Sequence, residues 1–282
     1  MRKSNRKVYA LKQVKLKDLP KRDQENAVSE VRLLASLHSN FIVKYHEAFF
    51  DVPTSSLCIV MDFADAGDLY QKIVQQQQDR KYLKEKFVWK TLIQALKGLA
   101  ELHRQDIIHR DIKSANVFLY NDGRAKIGDL NVSKVAHQRM LTTQTGTPYY
   151  AAPEVWRETP YDEKSDVWSF GCVIYEMCAL QPPFKADDMN GLYKKVLRGQ
   201  YPAIPTHFSH DMRTLIKAIL QLSPKDRPGA AEILQMTIVQ KRIRKYFTDQ
   251  HGKLVRWMIV EETIEEGLYP EIKLNLSKLK QT

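Results

Sequence analysis

The hydrophobic pattern of this chain changes period once, near residue 68, and few folds accommodate that order. Residues 8–16 (VYALKQVKL) alternate apolar and polar, which predicts a strand. Residues 23–37 put Ala27, Val31, Leu34 and Leu37 on one helical face. Segments 41–50 and 57–63 predict two further strands, so the first 63 residues read strand, helix, strand, strand. Beyond residue 68 the pattern turns helical, with amphipathic runs at 84–104, 162–179 and 211–221. The expected fold class is α+β, with a small β-rich lobe at about 1–63 and a larger α-helical lobe at about 68–240. Residues 75–78 (QQQQ) are expected to form a polar loop between helices. Residues 241–282 are expected to be a basic extension without a clear core pattern up to Lys253. Its apolar spots, Trp257-Met258-Ile259-Val260 and Leu274, Leu276 and Leu279, could dock elsewhere.

Charge is unevenly placed. The 282 residues carry a formal charge of +11. Residues 1–22 net +8 and residues 241–256 net +5, so the rest is slightly acidic. Such basic ends suit nucleic acid, an anionic membrane or an acidic polymer such as the tubulin surface, but a solvated face is the simpler reading. A specific nucleic-acid binder would interleave aromatics with these charges, and this chain does not. Cys58, Cys172 and Cys178 have no metal-ligand spacing and read as buried thiols of a reducing compartment. Met1-Arg2-Lys3-Ser4-Asn5-Arg6 has no apolar core of a signal peptide, and the longest strongly apolar stretch, Val167 to Tyr175, is too short to span a bilayer. The expected location is the cytoplasm, with the nucleus as an alternative.

The chemistry concentrates in His109-Arg110-Asp111-Ile112-Lys113-Ser114-Ala115-Asn116. An acid can orient the proton of an attacking hydroxyl, a nearby cation can steady phosphoryl oxygens, and an amide oxygen five residues on can reach a metal. Phosphoryl transfer needs such positioned charge more than covalent chemistry. Asp129 follows Asp111 by eighteen residues, directly after Lys126-Ile127-Gly128, where a carboxylate can hold Mg²⁺. A lone His-Arg-Asp could equally be a surface turn. Here, however, Gly146-Thr147-Pro148-Tyr149-Tyr150, Ala152-Pro153-Glu154, Ser165-Asp166-Val167-Trp168-Ser169-Phe170-Gly171 and Asp226-Arg227-Pro228 follow in order.

That ordered set resembles the protein kinase signature, over about residues 8–236. The resemblance implies a two-lobed kinase fold that uses ATP and Mg²⁺ to phosphorylate Ser or Thr of protein substrates. Within kinases the chain looks most like the NIMA-related family, on Glu30-Val31-Arg32-Leu33-Leu34-Ala35, Met61-Asp62-Phe63-Ala64-Asp65-Ala66-Gly67-Asp68-Leu69-Tyr70 and Gly146-Thr147-Pro148-Tyr149-Tyr150-Ala151-Ala152-Pro153-Glu154. By that resemblance Lys12, in Val8-Tyr9-Ala10-Leu11-Lys12, orients the phosphates and Glu30 holds Lys12. The hinge Cys58-Ile59-Val60-Met61-Asp62-Phe63 holds adenine, with Met61 as gatekeeper. Met61, Asp62, Ala64 and Asp68 complete the nucleotide-binding set. Asp111 is the catalytic acid-base residue, Lys113 contacts the γ-phosphate, and Asn116 and Asp129 are the metal ligands. Lys113 also marks the serine/threonine class, and Thr147 braces Asp111. Arg110 is expected to read a phosphate on the activation segment, with Thr142, Thr143 and Thr145 as candidates and Thr143 preferred. His109, Leu130, Glu154, Asp166 and Arg227 are structural, with Glu154 and Arg227 forming a buried ion pair. Family analogy adds microtubule, centrosomal or ciliary partners.

The chain departs from the pattern in three places. Only eleven residues precede Lys12 and none is glycine, whereas the family places a glycine-rich phosphate loop roughly twenty residues upstream. The expectation is therefore an N-terminally truncated domain lacking the first strand and that loop. The alternative is a catalytically weak or inactive pseudokinase scaffold. Asp129-Leu130-Asn131 replaces Asp-Phe-Gly; Leu130 keeps an apolar plug, and Asn131 tolerates positive φ. Ala152 stands where many relatives have Ser, without assigned meaning.

Overall fold

The computed structural model describes residues 6–17, 20–21, 24–25, 31, 34–130, 148–160 and 162–258. Three antiparallel strands come first: β1 (Tyr9–Lys15), β2 (Tyr45–Asp51) and β3 (Ser56–Asp62), in the order β1-β3-β2. β1 runs with Lys12 opposite Ile59, and β2 and β3 form a hairpin. The β2–β3 register shifts between Tyr45 and Glu47, so His46 is an extra residue there, a bulge that re-aims its side chain. Residues 34–36 are helical, and Val31, Leu34 and Leu37 are buried as their spacing requires. Val31 joins Leu16, Leu57 and Ile59 in the small-lobe core.

The expected strand over 41–50 begins only at Tyr45. Phe41 and Val43 instead bond to the far end of a second sheet: Ile127 N–H donates to Phe41 O, and Val43 N–H to Ile127 O. That pairing draws the chain away from β3 and ties the two lobes together.

The large lobe contains α1 (Leu69–Gln78), α2 (Glu85–Arg104), the hairpin β4 (Val117–Leu119) and β5 (Ala125–Ile127), then α3 (Pro153–Trp156), α4 (Glu163–Ala179), α5 (Met189–Arg198), α6 (His210–Ile219), α7 (Ala230–Gln235) and α8 (Thr237–Phe247). Every residue of α4 from Ser165 to Cys178 is buried. A helix covered on every side sits inside a core rather than on its surface, and the polar residues Asp166, Ser169 and Glu176 on it are hydrogen-bonded. Its start is fixed by a capping box between Asp162 and Ser165.

One expectation changes. Residues 75–78 are not a loop but the last turn of α1. Asp68 caps that helix by accepting from Gln71 N–H, Leu69 and Ile73 bury its inner face, and glutamine is a good helix former. The expected boundary at residue 240 falls inside α8. Val239, Ile243 and Phe247 recur every four residues and are buried, Lys241, Arg244 and Lys245 are exposed, and Arg242 lies over the Trp89 ring and reaches Asp211 at 3.2 Å. Beyond α8, Trp257 packs edge-on against Phe247, Met258 is fully buried, and Lys97 Nζ donates to Met258 O at 2.7 Å. The apolar spot at 257–258 thus docks on α2.

Candidate active site

The loop between α2 and β4 gathers most of the site. α2 is a long amphipathic helix with its last turn completed by His103 and Arg104. Asp166 of α4 lies wholly buried beneath the loop. Its carboxylate accepts from His109 N–H at 2.8 Å and Arg110 N–H at 2.9 Å, and it lies 2.9 Å from His103 Nε2. These contacts hold Arg110 at φ +65°, a left-handed conformation that a non-glycine residue adopts at a cost.

His109 is fully buried, with Nε2 3.1 Å from Gly128 O and Nδ1 accepting from Asp111 N–H at 3.3 Å. An accepting Nδ1 requires the proton on Nε2, which then donates to Gly128. Burial holds this imidazole below its ordinary value, against the opposing pull of Asp166 and Asp111. His109 is therefore a neutral strut between the loop and the end of β5.

Asp111 is approached from two sides. Lys113 Nζ donates to its Oδ2 at 2.9 Å, and Asn116 Nδ2 donates to its backbone carbonyl at 2.7 Å and to Oδ2 at 3.2 Å. A 3₁₀ turn, Ser114–Asn116, supplies that geometry. Asn116 O in turn accepts from Gly128 N–H at 3.0 Å, which places the residue before Asp129 against the loop. Asp129 sits at φ +58°, the second left-handed non-glycine residue of the site. Its Oδ1 accepts from Lys12 Nζ at 2.8 Å, joining β1 to the end of β5. Burial pushes the Asp129 carboxyl up, but the Lys12 ammonium, with Lys113, outweighs it and leaves the group below its ordinary value. Leu130 is buried in the large-lobe core.

Five of the expected residues, Lys12, Asp111, Lys113, Asn116 and Asp129, are thus brought together. Glu154 and Arg227 form the expected buried pair, with Nη1 to Oε1 at 2.8 Å and Nη2 to Oε2 at 2.9 Å. Glu30, Asn131, Thr142, Thr143, Thr145 and Thr147 lie outside the described residues, as do residues 259–282.

The hinge side chains are engaged in their own contacts. Met61 and Ala64 are half-buried, and Asp68 caps α1. Asp62 lies 2.8 Å from His46 Nε2 through Oδ1 and accepts from Lys126 Nζ at 2.9 Å through Oδ2. Burial raises its carboxyl, and the Lys126 and His46 hydrogen bonds outweigh that and lower it. Lys126 is itself buried, between Ala125 and Ile127 on a strand with no exposed residue. Sequence reasoning assigned no role to either partner; the one signal available was a lysine between apolar residues in Ala125-Lys126-Ile127, since the bulge at His46 is visible only in the fold.

The donor set fits a nucleotide with its metal. Lys12 offers an ammonium to phosphate oxygens. Asp129 carries an anionic oxygen, and Asn116, with its amide nitrogen committed to Asp111, keeps Oδ1 as an acceptor. Mg²⁺ binds through one or two such oxygens and retains waters, so this small set suffices.

The small antiparallel sheet, the helical lobe and the loop between them match the two-lobed kinase fold that the sequence resemblance implies. Comparison agrees: the protein kinase domain family matches residues 1–239, and the chain belongs to that family. Within it, the similarity is to the NIMA-related serine/threonine kinases. The mouse serine/threonine-protein kinase Nek1 is 35% identical over 244 residues, covering 86% of this chain and 20% of Nek1. The human serine/threonine-protein kinase Nek2 is 36% identical over 245 residues, covering 84% of this chain and 55% of Nek2. A probable serine/threonine-protein kinase, nek2 of Dictyostelium discoideum, is 36% identical over 248 residues, covering 86% of this chain and 59% of its own. The chain therefore spans between about a fifth and three fifths of the length of these relatives.

Proposed function

We propose that this protein transfers the γ-phosphoryl group of ATP to Ser or Thr hydroxyls of protein substrates. The observation that carries the reading is the paired set Lys12–Asp129 and Lys113–Asp111–Asn116, brought together by β1, the loop before β4 and the end of β5. Mg²⁺-ATP, when bound, supplies the phosphoryl group and charge neutralisation. The chain supplies the positioning. Lys12 steadies phosphate oxygens from β1, and Asn116 and Asp129 offer oxygens for the metal. Asp111 accepts the hydroxyl proton of the acceptor, and Lys113 holds that carboxylate while presenting positive charge toward the transferring group. Among the described residues no helix is long and apolar enough to cross a membrane. By analogy with the NIMA-related group, a cytoplasmic location and microtubule, centrosomal or ciliary partners complete the proposal.

Replacing Asp111 by Asn tests the assignment. Transfer to a generic protein substrate should fall by roughly 10²–10⁴ in kcat, because proton transfer belongs to the transition state. Nucleotide affinity, followed by calorimetry with Mg²⁺, should stay close to wild type. An Asp111→Asn variant that turned over at the wild-type rate would remove Asp111 from this role.

A further inference from the structure

A second polar chain runs beneath the site, through residues that none of the assignments above uses. Tyr150 OH donates to Glu176 Oε2 at 2.8 Å, and Ser114 Oγ lies 3.1 Å from the same phenol oxygen. With the phenol proton directed at a carboxylate, Ser114 is the donor in the second contact. The chain therefore has one direction, Ser114 to Tyr150 to Glu176. Ser114 is fully buried, Glu176 nearly so, and Tyr150 is largely covered. Burial raises the carboxyl of Glu176, opposed by Tyr150 and Ser114.

Tyr150 is also held at its other end. Ser169 Oγ donates to Tyr150 O at 2.8 Å. Ser169 and Glu176 lie seven residues apart on α4, two turns along one face, so Tyr150 is strapped lengthwise to the buried helix. Ser114 opens the 3₁₀ turn that ends at Asn116, and Asn116 carries the hydrogen bonds to Asp111. One hydroxyl thus links three parts of the lobe: the segment from residue 148 to α3, the core helix α4, and the turn that sets Asp111.

Resting on the kinase reading above, we propose that Tyr150 is a positioning residue for phosphoryl transfer. Its hydroxyl fixes the turn at 114–116, and through Asn116 the Asp111 carboxylate, relative to the segment at 148–152. It touches no reacting atom. Its effect is on how often Asp111 stands in its productive geometry, and so on kcat more than on ATP affinity.

The test uses Tyr150→Phe in the full chain, which removes one oxygen and keeps the packed ring. With β-casein and Mg²⁺-ATP, kcat should fall about tenfold, the scale of one buried hydrogen bond, while the KM for ATP should hold within about twofold. Ser114→Ala should give a similar loss, and the double variant should add little to either, because both remove one shared link. Amide exchange at residues 112–117 should quicken in Tyr150→Phe, with the amides of α4 unchanged; this readout needs no turnover. An active wild type whose Tyr150→Phe variant matches it in kcat would overturn the proposal. So would unchanged exchange at 112–117, whatever the activity. A wild type that transfers no phosphate, together with quickened exchange in the variant, would overturn the kinase reading and leave the coupling in place.

Discussion

Replacing Glu154 by Gln isolates a buried, two-point ion pair of the large lobe. All five N–H donors of Arg227 are committed: two to Glu154, and one each to the carbonyls of Lys164, Gln221 and Leu222. The guanidinium also lies 5.1 Å from the ring centroid of Trp168, and the Arg227 side chain has no exposed surface. Glu154 Oε1 additionally accepts from Ser165 Oγ at 2.7 Å, at the start of α4. Glutamine nearly preserves the shape but removes the charge and turns an N–H₂ toward Arg227. A buried guanidinium left without its counter-ion costs about 3–5 kcal/mol. For a domain of this size each kcal/mol moves the thermal midpoint by about 2–4 °C, so it should fall by roughly 6–20 °C. Circular dichroism at pH 7 measures this directly. The pH dependence follows from the lowered Glu154 carboxyl, where burial is outweighed by Arg227. The pair's contribution is fully present above the ordinary glutamate value and is lost as pH falls through the lower folded value. The gap between variant and wild type should therefore close in acid. A midpoint within about 3 °C of wild type at pH 7 would refute the reasoning, since a fully desolvated pair cannot be that inexpensive to break.

Two smaller perturbations probe the ground under the site. Gly128→Ala would place a Cβ 2.6 Å from Val43 Cγ2 and 3.0 Å from Phe118 Cε2, so overpacking should cost about 1–3 kcal/mol. Displacement of the adjoining Asp129 should weaken Mg²⁺-dependent nucleotide binding in calorimetry, and unchanged stability and binding would show that this corner can yield. Lys126→Met should lower stability by about 1–2 kcal/mol, because it takes the buried ammonium from Asp62. The Asp62 carboxyl is lowered in the fold, so its contribution is present above the ordinary aspartate value and lost as pH falls through the folded one. Denaturant midpoints of variant and wild type should converge in acid, and a constant gap would separate the loss from that carboxylate.

The sequence carries the architecture where periodicity is long and unbroken. Runs at 84–104 and 162–179 coincide with α2 and α4 to within a residue, because each buries a continuous stripe or an entire helix. It misleads where polarity is read as absence of structure. The glutamines at 75–78 continue α1 because Asp68 and Leu69 had already started it. The stripe of Val239, Ile243 and Phe247 is hidden among basic residues whose faces separate only once the helix exists. In the site, ordered motifs point to Lys12, Asp111, Lys113, Asn116 and Asp129, since each is a charged or amide group in a distinctive local string. The partners that hold them are less legible. Nothing near Tyr150 in the chain announces Ser114, thirty-six residues away, or Glu176, twenty-six residues on. His46 reaches Asp62 only through a bulge that no propensity announces.

The backbone at Arg110 sets stability against use. At φ +65° an arginine costs about 1 kcal/mol or more that glycine would not. Its backbone amide meets Asp166, a contact that any residue but proline could make. On backbone cost alone, glycine or asparagine would suit this position better than arginine. A thermostability library scored on backbone strain alone would favour replacing the Arg110 side chain, so position 110 belongs outside it.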